Sequence, residues 1–119
     1  MADLTRQDVI KILAISEHAR LAGVDLSGLE LSGLNFAGAD LTRANLSNAN
    51  LTNAYLRGAR MEYAVLEGCN LTGANLREVN FKGAILRGAN LAQANLTDAI
   101  MAGADLSGAK ISQAIGYQR

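Results

Sequence analysis

The segment Ala39-Asp40-Leu41-Thr42-Arg43-Ala44-Asn45-Leu46-Ser47-Asn48-Ala49-Asn50-Leu51 restates one five-residue theme: a small apolar residue, an amide or carboxylate, a leucine, then two mostly polar residues. Steps of five from its leucines give Leu26, Leu31, Phe36, Leu41, Leu46, Leu51, Leu56, Met61, Leu66, Leu71, Leu76, Phe81, Leu86, Leu91, Leu96, Met101, Leu106 and Ile111, with no gap. Two residues ahead of each runs a second apolar set. It opens with Val24, Leu29 and Leu34 and continues as alanine apart from Cys69 and Val79. A repeat this strict governs every other inference about the chain.

A helix has no use for the pattern. At about 100° per residue, a step of five advances roughly 140°, which scatters the leucines around the axis. A long flat strand fails as well, because side chains alternate with a period of two and lose phase with a period of five. What remains is a three-residue extended segment whose first and third side chains point inward, followed by a two-residue corner. The corner positions carry suitable residues. Ser or Thr often follows the large residue, with a hydroxyl able to bond local backbone. Glycine often comes next, as at Gly28, Gly68 and Gly88, where turn geometry favours it. A chain that bends the same way every five residues winds into a solenoid around one column of side chains.

Residues 24–114 resemble pentapeptide-repeat proteins, whose unit is Ala-Asp/Asn-Leu-x-x, matched at Ala39-Asp40-Leu41, Ala44-Asn45-Leu46, Ala49-Asn50-Leu51 and Ala104-Asp105-Leu106. The resemblance implies an all-β solenoid, a right-handed quadrilateral β-helix with four units per coil. The spacing alone does not give four sides: Met61 and Met101 suit four, whereas Phe36 and Phe81 suit three. With twenty residues per coil the chain makes about 4.5 coils, and a core ladder of Leu26, Leu46, Leu66, Leu86 and Leu106 stacks on one side, with Phe36 and Phe81 in neighbouring columns. Residues 1–23 are expected to cap the open N-terminal end with an amphipathic α-helix, started by Thr5 and Asp8 and stopped at Gly23. Residues 115–119 form a C-terminal tail too short for a helical cap.

The whole chain has 119 residues, enough for one domain with a real core. Alanine and leucine together fill a third of it, with 21 and 18 copies. Eleven basic residues balance eleven acidic ones, which argues against both a polyanion-binding surface and an acidic mimic of a polyanion. One cysteine excludes an internal disulfide framework. The absence of a long apolar run or a signal-like start makes a cytoplasmic location the expectation, with no membrane partner.

No constellation of catalytic, cofactor or metal-binding residues emerges, so no enzyme activity, cofactor, metal or small-molecule substrate is expected. His18 stands alone on the presumed cap, and Cys69 occupies a small inward site. The one departure from polar outward positions is Val65, Ile85 and Ile100, with Tyr63 nearby, which makes these four the candidate interaction patch. The function expected is that of a non-catalytic structural or protein-interaction module with an unknown protein partner; nucleic acid is not expected to bind. The alternative implied by the resemblance is a duplex-DNA mimic that binds DNA gyrase and protects against quinolones. Such mimics are strongly acidic, whereas residues 24–114 carry seven basic and eight acidic residues. In assembly, a monomer or a weak dimer through the C-terminal end is expected.

Overall fold

The computed structural model describes residues 4–117. A single α-helix, α1 (Arg6–Ile15), precedes a stack of short parallel bridges, every one joining residues twenty apart in sequence. Four columns of bridges define four faces. Face 1 runs Arg20, Asp40, Arg60, Asn80, Ile100; face 2 runs Asp25, Asn45, Val65, Ile85, Asp105. Face 3 runs Glu30, Asn50, Asn70, Asn90, Lys110; face 4 runs Asn35, Tyr55, Asn75, Asn95, Ile115. The solenoid is a right-handed quadrilateral β-helix. The bridge spacing supplies the four sides that the five-residue period left open.

Each five-residue unit satisfies its own backbone in a fixed way. Around Leu46, the N–H donates to Val65 O in the coil above at 2.7 Å, and the Asn45 N–H donates to Val24 O in the coil below at 3.0 Å. The Ala49 N–H closes the corner onto Leu46 O at 3.0 Å, and the Asn48 N–H reaches Glu67 O at 2.9 Å. The fifth donor, the Ser47 N–H, goes to Asn45 Oδ1 at 3.0 Å. The amide or carboxylate of the repeat thus completes the accounting that a tightly wound backbone requires.

Every corner from Gly23 to Gln113 places its second residue in the left-handed region, as a type II turn demands. Eight of those residues are not glycine, among them Arg43, Tyr63, Glu78 and Gln93 at φ of about 60°. The twist cost there is borne by the stacked coils on either side.

The interior is a column of apolar side chains. Leu26, Leu46, Leu66 and Leu86 are fully buried, as are Phe36 and Phe81, with the alanines packed between. Leu106, the last member of the expected ladder, is only partly buried because it belongs to the final coil. No polar or charged residue among those described is buried. The column on face 1 begins one residue set earlier than the repeat suggests, at Ala19 and Leu21, which are 2% and 1% exposed.

That early start corrects the expected division at residue 23. The capping box forms as expected, with Asp8 N–H on Thr5 Oγ1 at 3.2 Å and Thr5 N–H on Asp8 Oδ2 at 2.9 Å. The helix nevertheless ends at Ile15, and Ser16 is extended at φ −142° and ψ 138°. The physical reason is pairing: the Leu21 N–H donates to Asp40 O and the Asp40 N–H to Ala19 O, both at 2.8 Å, which a helix through residue 21 would forfeit. Residues 1–3 of the expected cap lie outside the described residues.

At the other end, Ile115 still pairs with Asn95, its N–H on Ala94 O at 2.8 Å, so the solenoid runs past the expected boundary at 114. Each face therefore carries five stacked bridge residues. Tyr117 packs against the core beside Leu96 and Met101. Residues 118–119 of the expected tail lie outside the described residues.

The helix is latched by a side chain acting as backbone. Arg6 donates from Nη1 to Glu30 O at 2.8 Å and from Nη2 to Ser32 O at 3.1 Å. One coil further on, the equivalent carbonyls of Asn50 and Thr52 receive the N–H groups of Leu31 and Gly33. The guanidinium fork therefore stands where a preceding rung would present two donors.

Candidate interaction surface

The four patch residues fall around a single corner of the prism. Val65 and Ile85 pair directly on face 2. Ile100 lies on adjoining face 1, half exposed, and Tyr63 occupies the corner between the two faces at 44% exposure. The Tyr63 ring leans toward the next coil and lies over Gly83, where an added Cβ would meet Tyr63 Cε1 at 2.5 Å. The Arg43 guanidinium sits 4.9 Å from the ring centroid on the coil below, within cation–π range. The same lean recurs elsewhere: Asn48 covers Gly68, Asn53 covers Gly73, and His18 covers Gly38.

Apolar residues at the bridge position have a backbone consequence. At twelve corners a carboxylate, carboxamide or, at Glu30, a longer carboxylate accepts the N–H two residues on. Val65, Ile85 and Ile100 have no such oxygen. The N–H groups of Glu67, Arg87 and Ala102 consequently have no acceptor among the described residues. Two cations, Lys82 and Arg87, flank Ile85 in one coil; two anions, Glu62 and Glu67, flank Val65 in the coil below.

Arg87, one coil above Glu67, pairs diagonally instead with Asp105, Nε on Oδ2 at 2.6 Å. Arg57 likewise turns to Glu78 at 3.0 Å rather than facing Arg77 unpaired. Glu62 meets Arg60 through Oε2 at 3.5 Å, while its Oε1 is buried without a hydrogen-bond partner.

Corner hydroxyls behave differently from expectation. Instead of bonding backbone, they donate to the oxygen that caps their own N–H: Ser27 to Asp25 at 2.7 Å, Thr42 to Asp40 at 2.6 Å and Ser107 to Asp105 at 2.6 Å. These bonds hold the carboxyls of Asp25 and Asp40 below the usual range. For Asp105 the Ser107 hydroxyl, then Arg87, bring the value down to about 2.

His18 Nδ1 lies 3.3 Å from Gly38 O on the exposed first corner. Cys69 is fully buried, and burial pushes its thiol up to about 12, far from the thiolate a nucleophile needs.

A family model for pentapeptide repeats, in eight copies, matches residues 19–58, 49–88 and 74–113. The chain is a pentapeptide-repeat protein. Among solved pentapeptide-repeat structures it is similar to Rfr23 of the cyanobacterium Cyanothece 51142, at 37% identity and a TM-score of 0.78, covering 79% of this chain and 65% of that one. It is also similar to a pentapeptide-repeat protein of the Arabidopsis thaliana thylakoid lumen, at 34% identity and a TM-score of 0.53, covering 80% and 63%. A third is HetL of Nostoc sp. PCC 7120, involved in heterocyst differentiation regulation, at 30% identity and a TM-score of 0.54, covering 82% and 57%. The chain thus spans less than two thirds of the length of each of these relatives. No curated protein sequence matches it.

Proposed function

We propose that this pentapeptide-repeat rod is a non-catalytic protein-interaction module that meets its partner through the corner formed by Tyr63, Val65, Ile85 and Ile100. The observation that carries the reading is the filled interior: with no polar residue buried among those described, chemistry is left to the outer surface, and that corner gathers the exposed Tyr63 and Ile100 beside the half-buried Val65 and Ile85. The same reading places the protein in the cytoplasm with a protein partner rather than a nucleic acid, a membrane or a small-molecule substrate.

The test compares the chain with an Ile85→Asn/Ile100→Asn variant, which restores the repeat's own amide at both positions. A host protein that co-purifies with the original chain and is lost from an equally stable variant supports the reading. An identical set of captured proteins overturns it. A raised quinolone inhibitory concentration on expression would put the gyrase-binding alternative in its place.

For assembly, we infer weak pairing of two copies through the last coil, where the Met101, Leu106 and Ile111 N–H groups have no acceptor among the described residues and Ile111 is 38% exposed. Sedimentation should show self-association at high concentration that Ile111→Lys abolishes; equal behaviour of the two chains removes this inference.

A further inference from the structure

The corner around Ile85 offers more than apolar area, and its polar surroundings specify what fits it. Where the repeat keeps its amide, an oxygen two residues earlier accepts the corner N–H at 3.0 to 3.2 Å, as Asn70 does for Thr72 and Asn75 for Arg77. At Ile85 that oxygen is missing, and the Arg87 N–H is open beside an apolar side chain. Lys82, on the other flank of Ile85, makes no ion pair among the described residues. One coil below, the sign inverts: Glu67 stands exposed on one flank of Val65, while Glu62 on the other is mostly buried and paired with Arg60 at 3.5 Å. Adjacent strands lie about 4.8 Å apart, so with Arg87 engaged by Asp105 at 2.6 Å, Lys82 and Glu67 supply one cation and one anion a rung apart beside a single apolar strip.

We propose that this strip docks a segment of a partner protein that lays an aliphatic side chain across Val65 and Ile85 against the Tyr63 ring, with an acidic side chain at the Ile85 level and a basic one at the Val65 level. The partner's carboxylate takes the place of the absent repeat amide on the Arg87 N–H and faces Lys82. Its cation faces the exposed Glu67. Charge-assisted bonds of this kind orient a segment as well as hold it. The inference rests on the interaction-module reading of the same corner and adds the chemistry of its partner.

The probe is the peptide acetyl-Lys-Leu-Asp-amide, titrated into the isotopically labelled 119-residue chain and followed by amide proton–nitrogen spectra. Saturable shifts are expected at Val65, Ile85 and Arg87, the Arg87 proton moving downfield. Binding should weaken about tenfold or more for acetyl-Lys-Leu-Lys-amide, and by a similar factor for the Ile85→Asn chain, whose own amide reoccupies the Arg87 N–H. Thermal unfolding of Ile85→Asn at or above that of the parent shows that the loss is not one of folding. Equal binding of the two peptides, undiminished binding to Ile85→Asn, or no shift at millimolar peptide overturns the proposal. So do the same shifts produced by raising protein concentration alone, which would make a second copy the occupant. If the peptide fails while the co-purifying protein is still lost from the double variant, the assigned chemistry falls and the module reading stands.

Discussion

Tyr63 lies over Gly83, one coil above it in the same corner column, and the glycine's missing side chain is the space the ring uses. Gly83 and Gly88 share a φ of +66°, yet Gly88 has no heavy atom within 4 Å of an added Cβ. Alanine at Gly88 should cost about 1 to 2 kcal/mol from the left-handed backbone alone. Gly83→Ala should cost more, because the ring must move too. In a Tyr63→Ala background the gap between the two should close, which chemical unfolding of the four chains would read as a coupling energy. Equal costs in the parent background would contradict the packing.

The non-glycine corners make the opposite expectation. Gln93 sits at φ 61°, and among the described residues its side chain bonds Gln113, on the exposed surface, at 3.1 Å. Gln93→Gly removes strain of about 1 to 2 kcal/mol and adds back about 0.4 to 1 kcal/mol of unfolded-chain entropy. The melting temperature should rise by a few degrees, and a fall would show that the corner is not strained.

Acid should unwind the rod through its corner carboxylates. Asp105 titrates at about 2 in the folded chain against an ordinary 3.8, and Asp25 and Asp40 are lowered from the same value. A depressed folded value means the ionised form is favoured by folding. That contribution is complete above about pH 4 to 5 and is lost as the pH falls through the ordinary value toward 2. Melting temperature measured from pH 7 to pH 2 should be flat and then drop. Asp105→Asn keeps an oxygen for the Ser107 N–H while removing the titration, so its drop should be shallower.

The inward and outward phases can be tested one residue apart. Ala74 is 1% exposed, and Ala74→Leu should overpack its layer at about 1 to 3 kcal/mol. Asn75 points outward but holds the Arg77 N–H at 3.2 Å, so Asn75→Leu should cost about 1 kcal/mol or less. A larger loss for Asn75→Leu would invert the phase.

The apolar column was readable in advance because a five-residue period admits so few geometries, and Leu26 through Leu96 sit where that argument puts them. Two other features were hidden for definite reasons. Ala19 and Leu21 satisfy a helical face and the five-residue column at once, so only the partner strand at Asp40 decides between them. The use of the Asn and Asp side chains depends on which N–H groups the coils leave over, and that emerges only once the turns are stacked. Tyr63, Val65, Ile85 and Ile100 stood out as exceptions to a polar rule; that they surround one corner follows from four sides per turn, which the period does not contain.

The twenty-residue lag between bridged residues also sets how such a gene product can grow. Inserting one five-residue unit within the rod rotates everything downstream by a quarter turn, so an insertion between Val65 and Ile85 would carry Ile85 onto another face and sever it from Tyr63. Inserting four units restores every column and merely lengthens the prism. Surface patterns written across several coils are therefore heritable only through changes of length in whole turns, while the core, apolar on all four sides, keeps its polarity pattern either way.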